Sequence, residues 1–487
     1  MLLCNLLEGI NILKCNTEMY KNVENIANDH RRIEKKYAFV AIMGEKQNGN
    51  LFIKQALERG ATAIITDCEE ACSDNIPYVL VENARLALAL MWSNFYGAPA
   101  KHIKTIAITG TNGKTSTSYF LYNILRAGGV SCGLISTIDW LVNGEEITIE
   151  NQEDNKSYAM TTPDPEVLYY LYNKMKEKNV EVVVLEVSSH ALVQSRLAGI
   201  EVEIGAYTNL SREHLDYHQT MEEYYSAKKL LVDKSQKFIV NFDDNYGKRI
   251  KNEYFKKVKC ASVNEISDFH VENLIQYDGI CEYDFCFGKE RVRVKMPHMG
   301  VHNVYNSVIA ASCACIFGVE SEAIKKGIEE TKMIRGRCEK YRDKPIYIDY
   351  AHTPVAMKAV LNAIKQTEPQ KRLICLFGCG GQRDKGKRAE MAEISAEYAD
   401  FTVITGDNPR NEPPNEIIAD ILRGFNNYDE YIVVPNRKKA IKYACEILGV
   451  NDVLLLLGKG HEAYEIIGNK KVFFDERKIL DEVFLES

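Results

Sequence analysis

A seven-residue segment, Thr109–Thr115, constrains the fold of this chain more than any other feature. It reads Thr-Gly-Thr-Asn-Gly-Lys-Thr, follows the apolar run 103–108 and precedes a helical pattern over 116–126. A strand, a glycine-rich loop and a helix in this order form a phosphate-binding unit, because loop N–H groups and the helix N-terminus attract anions. A standard Walker A loop has a glycine where this chain has Ile108, so the spacing is a shorter variant. We therefore predict a nucleoside triphosphate site in an α/β domain.

The residue types of the loop suit a triphosphate. Gly110 and Gly113 let backbone N–H groups approach phosphate oxygens. Lys114 can reach the terminal phosphates, and the hydroxyl of Thr115 can ligate magnesium. A plain glycine turn before a helix is the alternative, and the Lys-Thr pair argues against it.

Length and composition indicate several globular domains. The chain has 487 residues, which at roughly 150 residues per domain suggests about three domains. A hydrophobic share of 46% and a charged share of 26% are typical of soluble proteins. The net charge of −7 argues against a general nucleic-acid binder, which needs a basic surface.

The sequence also predicts where the protein works. Apolar runs such as 453–457 are far shorter than the ~20 residues that span a bilayer. Residues 1–13 lack a basic leader and a cleavage site, so we expect no export signal and no membrane insertion. Fourteen cysteines without a C-x-x-C pair fit reduced thiols in the cytoplasm.

Alternating apolar strand patterns and helical patterns predict an α/β fold of three domains. We predict a small N-terminal α/β domain over 1–98, a central parallel-sheet ATPase domain over 99–335 and a C-terminal Rossmann-like domain over 336–487. The segment 97–100, Gly-Ala-Pro-Ala, is the expected first linker.

Two polar segments follow predicted strands in the central domain. Glu186 ends an apolar strand pattern, where a magnesium ligand would lie beside a phosphate loop, although an ordinary strand-end glutamate is the alternative. The segment 208–218 holds His214, the best candidate metal ligand, with Asp216 or His218 in support. A solvated loop is the alternative for this second segment.

Lys228 lies on the apolar face of a predicted helix over 221–234, whereas Lys229 can reach water more easily. A buried ammonium is costly unless it is paired. Lys228 must therefore be salt-bridged, extended to the surface or chemically modified, and spacing alone favours extension to the surface.

Three polar loops follow strands of the predicted C-terminal domain. They are the glycine-rich basic loop 378–388, the loop 405–410 and the loop 458–462. Loops at the carboxyl ends of parallel strands meet in one crevice. Their mixture of Arg, Asp and Glu suits a zwitterionic ligand, although any one of them could be a solvated loop.

Taken together, these motifs resemble the muramyl ligases of peptidoglycan synthesis, in particular the ligases that add the third amino acid to UDP-N-acetylmuramoyl-L-alanyl-D-glutamate. The resemblance runs nearly end to end. The motifs that carry it are TGTNGKT, TTP at 161–163, EVSSHALVQSR at 186–196, TNLSREHLDYH at 208–218, SAKKLL at 226–231, GRCE at 336–339, DYAHTP at 349–354, FGCGGQRDKGKR at 377–388, DNPR at 407–410 and GKGHE at 458–462.

The resemblance implies roles for residues that match the family's motifs. The implied catalytic residues are Lys114, Glu186, His214 and Lys228. Thr115, Glu186, His214 and Lys228 as N6-carboxylysine are the implied Mg²⁺ ligands, which would explain the buried position of Lys228. The implied ATP site comprises Gly110, Thr111, Asn112, Gly113, Lys114, Thr115, Ser116, His302, Asn303, Asn306, Arg337 and Asp349. The implied UDP-muramoyl-peptide site comprises Asp29, His30, Arg31, Thr161, Thr162, Ser188, Gln194 and Arg196. The implied amino-acid site comprises Arg383, Asp407, Asn408, Pro409, Arg410, Gly458 and Glu462.

The reaction that the resemblance implies is ATP-dependent amide ligation through an acyl phosphate, with release of ADP. Arg410 of DNPR suits a carboxylate, and meso-diaminopimelate has a second carboxylate where lysine has none. The expected partners are therefore ATP, the UDP-N-acetylmuramoyl dipeptide and meso-diaminopimelate, and we expect a monomer. L-Lysine, or a different carrier as in a diverged paralogue or a folate-extending sister ligase, is the alternative; an ATP-binding regulator without ligase activity is another.

The chain departs from the family pattern at a few positions. The usual Asp-Ser-Arg appears as Asp29-His30-Arg31, and an acidic-glycine pair appears as Asn48-Gly49. Gln382 stands where the family usually has Asp or Asn, and Ser116 replaces a common Thr. Recognition of the uridine end is the function that these departures affect most.

Overall fold

The computed structural model describes residues 1–44, 47–149 and 160–485, which form two compact units. Unit 1 comprises 1–107, 130–205 and 230–236, and unit 2 comprises 108–129, 206–229 and the chain from 237 onward. Because this division differs from the predicted one, the domain boundaries at 98 and 335 remain predictions.

The first part of unit 1 is a five-stranded sheet with order β1-β5-β4-β3-β2. Its strands are β1 (Ile12–Cys15), β2 (Asn25–Ala27), β3 (Tyr37–Ala41), β4 (Ala63–Thr66) and β5 (Tyr78–Val81), and its helices are α1 (Leu3–Leu6), α2 (Ile53–Glu58) and α3 (Ala84–Phe95). Strands β2 to β5 pair in parallel and β1 is antiparallel to β5.

The middle of the chain, 104–335, contributes to both units. Its strands are β6 (Lys104–Thr109), β7 (Cys132–Ile135), β8 (Trp140–Val142), β9 (Glu145–Glu146), β10 (Val182–Glu186), β11 (Val202–Tyr207), β12 (Ser235–Asn241), β13 (Val258–Ser262), β14 (Phe269–Tyr277), β15 (Ile280–Phe287) and β16 (Glu290–Met296). Its helices are α4 (Lys114–Ala127), α5 (Pro165–Glu177), α6 (Ser189–Val193), α7 (Leu215–His218), α8 (Met221–Lys234), α9 (Asn245–Glu253), α10 (Val301–Phe317) and α11 (Ser321–Glu329).

The alternation of strands and helices predicts a parallel sheet for this middle part. The structure differs, because not all of its strands are parallel. Strands β10 and β7 pair in parallel, as do β12 and β13, but β14, β15 and β16 form an antiparallel meander. The reason is local: Asp278 and Gly279 have φ angles of 49° and 75°, which form a two-residue hairpin turn between β14 and β15. This Asp-Gly pair is a hairpin signal that the sequence carries.

The C-terminal part of unit 2 is a sheet between helices in which β18 to β22 pair in parallel and the short strand β17 is antiparallel to β18. Its strands are β17 (Glu339–Lys340), β18 (Ile346–Asp349), β19 (Arg372–Phe377), β20 (Phe401–Ile404), β21 (Tyr431–Val433) and β22 (Asp452–Leu457), followed by the hairpin β23 (Tyr464–Ile467) and β24 (Lys470–Phe473). The helices are α12 (Pro354–Thr367), α13 (Lys387–Tyr398), α14 (Pro414–Leu422), α15 (Arg437–Glu446) and α16 (Glu476–Phe484).

The strand order of this sheet, β17-β18-β22-β19-β20-β21, places the last long strand, β22, between β18 and β19. Both faces are covered by apolar clusters, one around Leu455 and Phe377 and the other around Leu454 and Leu376. The loops that follow β18, β19, β20 and β22 therefore meet at one edge, as expected for an open α/β sheet. In the described ranges, no helix has the length and apolarity to cross a bilayer.

Candidate functional site

The predicted phosphate loop joins β6 to α4 in the expected way. Gly113 caps the N-terminus of α4 with φ 85°, and Lys114 is the first residue of the helix. The ammonium of Lys114 donates to the carbonyl oxygens of Gly110 and Thr111 at 2.9 and 2.8 Å. Lys114 thus links two carbonyl groups of the loop, and its positive charge lies at the loop that is predicted to bind phosphate.

Close neighbours leave no room for a side chain at Gly110 or Gly113. A Cβ on Gly110 would collide with the hydroxyl of Thr208, and a Cβ on Gly113 would collide with the side-chain oxygen of Asn306. Any larger residue would therefore displace the loop from these two partners.

Three of the implied ATP-site residues, His302, Asn303 and Asn306, lie at the start of helix α10. Asn306 donates to the side-chain oxygen of Asn303 at 3.2 Å and accepts from Thr117 of α4 at 3.4 Å. Burial of the His302 ring, with a smaller effect of His298, lowers the pKa of His302 to about 4. His302 is therefore a neutral imidazole at physiological pH.

Arg337, at the start of the C-terminal part, contacts the residue that follows Lys114, and its charge acts on Asp349. The guanidinium of Arg337 donates to the hydroxyl of Thr115 at 3.0 Å and stacks over the Tyr350 ring at 4.8 Å. Asp349 accepts backbone N–H bonds from Cys338 and Ala351, both at 2.6 Å. Burial raises the pKa of Asp349, while Arg337 opposes the shift.

Lys228 is buried in unit 2, with 2% of its surface exposed. The prediction that Lys228 extends to the surface, which helix spacing alone favours, is therefore wrong. Its ammonium donates to the Gly110 carbonyl at 2.8 Å and lies 4.6 Å from the centroid of the Tyr224 ring. Burial, followed by repulsion from Lys114, lowers the pKa of Lys228 well below 10.5. Lys229 is partly exposed and pairs with Glu253 at 3.0 Å, as its helix position predicts.

The segment before α8 holds the three predicted metal-site candidates in different surroundings. His214 has φ 56°, an uncommon left-handed conformation, and precedes α7. His218 stacks on Tyr224 with centroids 5.0 Å apart, and burial, then Lys228, lowers its pKa to about 4. Asp216 pairs with Arg383 at 3.0 Å. The support that Asp216 or His218 gives to His214 stays a prediction.

Several residues predicted to bind the muramoyl peptide form one hydrogen-bond network in unit 1. The buried carboxylate of Glu186 accepts from the hydroxyl of Thr137 at 2.9 Å, and that hydroxyl contacts the hydroxyl of Thr161 at 3.1 Å. The hydroxyl of Thr162 donates to the carbonyl of Glu186 at 2.9 Å and accepts from the N–H of Ser188 at 2.9 Å. The structure therefore brings these four predicted residues together.

Gln194 and Arg196 extend the same network. The guanidinium of Arg196 donates to the Thr162 carbonyl at 2.7 Å and to the side-chain oxygen of Gln194 at 2.8 Å, and it pairs with Asp164 at 3.1 Å. Arg196 is thereby fixed by several partners, among them Thr162, Gln194 and Asp164, and presents a preorganised cation to this site.

A short 3₁₀ turn, His30–Arg32, follows Asp29 elsewhere in unit 1. Asp29 caps this turn by accepting from the N–H of Arg31, and its hydrogen bonds to the Arg31 side chain lower the pKa of Asp29 to about 2. The His30 ring stacks on Phe52 with centroids 4.3 Å apart and planes 6° apart. His30, which stands where the family usually has serine, therefore adds an aromatic stack at this turn.

The predicted amino-acid site is built on the loops after β19, β20 and β22. Asn408 donates to Glu462 at 3.0 Å, and Arg410, with φ 54°, donates to the Gly381 carbonyl at 2.9 Å. Burial and nearby Arg383 lower the pKa of the Arg410 guanidinium, so the two cations are close. Pro409 lies between Asn408 and Arg410, and a Cβ on Gly458 would approach Asp407 to 3.3 Å.

Three ion pairs join the His214 segment to the loop after β19. Arg212 pairs with Asp384 at 2.6 Å, Glu213 with Lys387 at 3.3 Å, and Asp216 with Arg383 at 3.0 Å. We call these pairs the ion-pair ladder. They connect a segment near the phosphate loop with a loop of the predicted amino-acid site.

The basic loop 378–388 is largely neutralised by such pairs. Arg388 is fully buried and pairs with Glu412 at 2.7 Å and Asp420 at 2.9 Å, and Lys385 pairs with Glu412 at 3.2 Å. Gln382 has φ 53°, a conformation that Asp and Asn adopt more easily than Gln. Gln382 therefore has a lower preference for this backbone conformation than the residues that the family usually has at this position.

Metal-ligand residue types also meet outside these loops. Among the described residues, His270, Glu272 and Cys286 place ligand atoms within 4.8 Å of one another. Arg291 pairs with Glu272 and lies opposite Cys286 in the β15–β16 ladder. A guanidinium therefore already neutralises this cluster.

Sequence reasoning missed Thr137, Lys387 and Lys459 as contributors to these sites. Ser136-Thr137 follows the short apolar strand β7, and polar residues after a strand are a signal that could have identified Thr137. Lys387 and Lys459 lie in the polar loops 378–388 and 458–462 that the sequence indicates, but no local pattern identifies their partners Glu213, Asp407 and Asn408, which belong to other segments of the chain.

Family models and individual relatives match this chain over most of its length. The model of the Mur ligase family catalytic domain matches residues 22–96, that of the Mur ligase middle domain matches 108–314, and that of the Mur ligase glutamate ligase domain matches 336–460. The chain is 39% identical to a UDP-N-acetylmuramoyl-L-alanyl-D-glutamate--2,6-diaminopimelate ligase 1 of Clostridium acetobutylicum over 95% of each chain. It is 38% identical to the 2,6-diaminopimelate ligase of Clostridium perfringens over 99% of each chain.

Solved structures show the same architecture. A UDP-N-acetylmuramoyl-L-alanyl-D-glutamate--2,6-diaminopimelate ligase aligns with a TM-score of 0.68 at 25% identity, covering 100% of this chain and 99% of that chain. The MurF ligase of Thermotoga maritima in complex with ADP aligns with a TM-score of 0.60 at 18% identity, covering 89% and 93%. These alignments confirm the predicted three-domain α/β class. The three matched family segments and the full-length relatives show that this chain belongs to the Mur ligase family.

Proposed function

We propose that this protein is an ATP-dependent ligase that joins meso-diaminopimelate to UDP-N-acetylmuramoyl-L-alanyl-D-glutamate, with release of ADP and phosphate. The observation that carries the proposal is the ion-pair ladder, which joins the segment beside the phosphate loop to the loop that holds Arg383. A ligase needs its ATP site and its amine site in one coupled assembly. The full-length diaminopimelate ligase relatives support the choice of substrates.

The proposed reaction has two steps. The glutamate carboxylate attacks the γ-phosphorus of ATP, which forms an acyl phosphate and releases ADP. The amine then attacks the acyl carbon, the amide bond forms, and phosphate leaves with the amine proton passing to solvent or a base. Lys114 is the group that would neutralise the charge developing on the phosphoryl oxygens.

The donors proposed for Mg²⁺ fit a hard cation in part. The Thr115 hydroxyl and the Glu186 carboxylate are oxygen ligands, and His214 adds an imidazole. Mg²⁺ bound there would reduce the negative charge of the triphosphate. Lys228 would join this set only as a carbamate, which a neutral amine forms with carbon dioxide as one proton is lost. Its burial favours the neutral amine.

The choice of meso-diaminopimelate over L-lysine rests on charge. Arg383 and Arg410 are close enough to repel one another, so the pocket favours a carboxylate between them. The distal carboxylate of meso-diaminopimelate supplies that charge and the side chain of L-lysine does not. Cytoplasmic location and a monomeric state accompany this proposal as further predictions.

The test is phosphate release by purified protein with ATP, Mg²⁺ and UDP-N-acetylmuramoyl-L-alanyl-D-glutamate. Meso-diaminopimelate, L-lysine and no amino acid are compared, and product mass is measured. We expect release and a mass adduct with meso-diaminopimelate alone. Release with L-lysine would contradict the pocket assignment, and silence with all three would indicate a different carrier.

A further inference from the structure

Lys459 is a fully buried lysine in the loop after β22, with no side-chain surface exposed. Its ammonium donates to the side-chain oxygen of Asn408 at 2.8 Å and to the carbonyl of Tyr464 at 2.9 Å. It also lies 3.1 Å from a carboxylate oxygen of Asp407 and 3.7 Å from one of Glu462. Its four polar partners thus include three residues of the proposed amino-acid site.

The first consequence concerns the orientation of the Asn408 amide. Its oxygen accepts from Lys459 and from the N–H of Ile466, at 2.8 and 2.9 Å. Both partners are donors, so the amide oxygen must face them and the NH₂ group must face the other way. That NH₂ group donates to Glu462 at 3.0 Å. Lys459 therefore acts on Glu462 directly and through Asn408.

The second consequence concerns charge. Burial and Asp407 raise the pKa of Glu462, and Lys459 opposes the shift. Burial alone would raise the pKa of Asp407, but Lys459 and then Arg437 outweigh it. Two neighbouring buried carboxylates without this ammonium would share a proton. A protonated carboxyl is a poor acceptor for a substrate ammonium group.

We propose that Lys459 is a positioning residue of the amino-acid site: its ammonium holds Asp407, Asn408 and Glu462 as an anionic cradle for an ammonium group of the amino-acid substrate. The inference rests on the proposed function, because it concerns how the incoming amino acid is held. The ammonium of Lys459 already has several partners in the protein, so we do not expect it to contact the ligand itself.

The experiment compares Lys459→Met and Lys459→Gln with wild type and with Lys438→Met. Lys438 is a half-exposed lysine of α15 that pairs with Glu482, which makes it the matched control. KM and kcat are measured for ATP, the UDP-linked dipeptide and meso-diaminopimelate, the last across a range of pH. Lys459→Gln retains a hydrogen-bond donor, and thermal unfolding checks that each variant is folded.

We expect KM for meso-diaminopimelate to rise about tenfold or more in both Lys459 variants, the loss typical of a charge-assisted hydrogen bond. KM for ATP should stay within about twofold of wild type, since the phosphate loop is untouched. The acidic limb of kcat/KM for meso-diaminopimelate should move to higher pH, because Glu462 loses a cationic neighbour.

Other results would overturn the proposal. These are an unchanged KM for meso-diaminopimelate, equal rises in KM for all three substrates, or failure of both Lys459 variants to fold, which would assign the residue to folding alone. If wild type lacks turnover, the proposed function fails. Calorimetric binding of meso-diaminopimelate to wild type and the variants then decides the role of Lys459 separately.

Discussion

The ammonium of Lys228 donates a hydrogen bond to the carbonyl oxygen of Gly110 at 2.8 Å. Residues 118 positions apart in the sequence are thereby joined, and helix α8 is fixed against the phosphate loop. Lys114 donates to the same carbonyl at 2.9 Å. Two lysines that share one acceptor repel one another, and an anion between them would relieve that repulsion.

Replacement of Lys228 by alanine should nearly abolish ligation. The change removes both the bond to Gly110 and the amine proposed to become a carbamate, and we expect phosphate release to fall by roughly a hundredfold or more. Added bicarbonate should restore nothing in the variant. Lys229→Ala, on the exposed side of the same helix, is the control and should stay near wild type. Near-normal turnover of Lys228→Ala would remove the carbamate from the proposed mechanism.

Replacement of Arg410 by alanine should weaken use of meso-diaminopimelate far more than binding of ATP. Loss of a guanidinium partner for a carboxylate costs about 1.5–3 kcal/mol, so KM for the amino acid should rise roughly tenfold to a hundredfold. Steady-state kinetics with each substrate varied in turn measures this. Arg342→Ala, a surface residue paired with Asp481, is the control. Equal losses for ATP and the amino acid would contradict the pocket assignment.

Replacement of Asp216 by asparagine should lower KM for meso-diaminopimelate. Asp216 pairs with Arg383 at 3.0 Å, and a substrate carboxylate must compete with it for that guanidinium. Partly exposed pairs contribute up to about 1 kcal/mol, so the expected decrease is roughly twofold to fivefold. Asp429→Asn, an exposed carboxylate before β21, serves as control. An unchanged or higher KM would show that Asp216 does not compete with the substrate.

Replacement of Arg388 by methionine should destabilise the protein strongly. Arg388 is fully buried and bonds Glu412 and Asp420, so the variant removes the buried cation that these two carboxylates share and leaves them with the more exposed Lys385 and Arg423. The expected loss in the free energy of unfolding is about 3–5 kcal/mol. Arg423→Met removes only a surface partner of Asp420 and should cost under about 1 kcal/mol. Urea unfolding of both variants measures the difference, and equal losses would contradict this account.

The same network predicts a pH dependence. Hydrogen bonds from Arg388 lower the pKa of Glu412 from 4.5 to about 2. The folded state therefore binds this proton more weakly than the unfolded state, and the stabilisation is complete above pH 4.5 and is lost as pH falls toward 2. The difference in Tm between wild type and Glu412→Gln should be largest near neutral pH and should narrow as the solution is acidified below pH 4.5. A difference that does not change with pH would exclude this origin.

Local patterns predicted much of the fold. The helix over 221–234 has the predicted bounds, and β6, the phosphate loop and α4 follow one another as expected. Such elements are recognisable because periodicity and turn chemistry act over a few residues. The antiparallel meander after β13 was missed although its Asp-Gly turn was present in the sequence.

The sequence by itself determined which residues we propose to carry the chemistry, because motifs such as TGTNGKT, DNPR and GKGHE are contiguous and their residue types limit what they can bind. Only the tertiary structure decided what those residues contact. Helix spacing favoured surface extension for Lys228, but packing buries it against Gly110. Spacing likewise gave no partner for Lys459, whose ammonium meets Asp407 and Asn408 from another loop. Burial and long-range pairing depend on how distant segments pack, which no local pattern encodes.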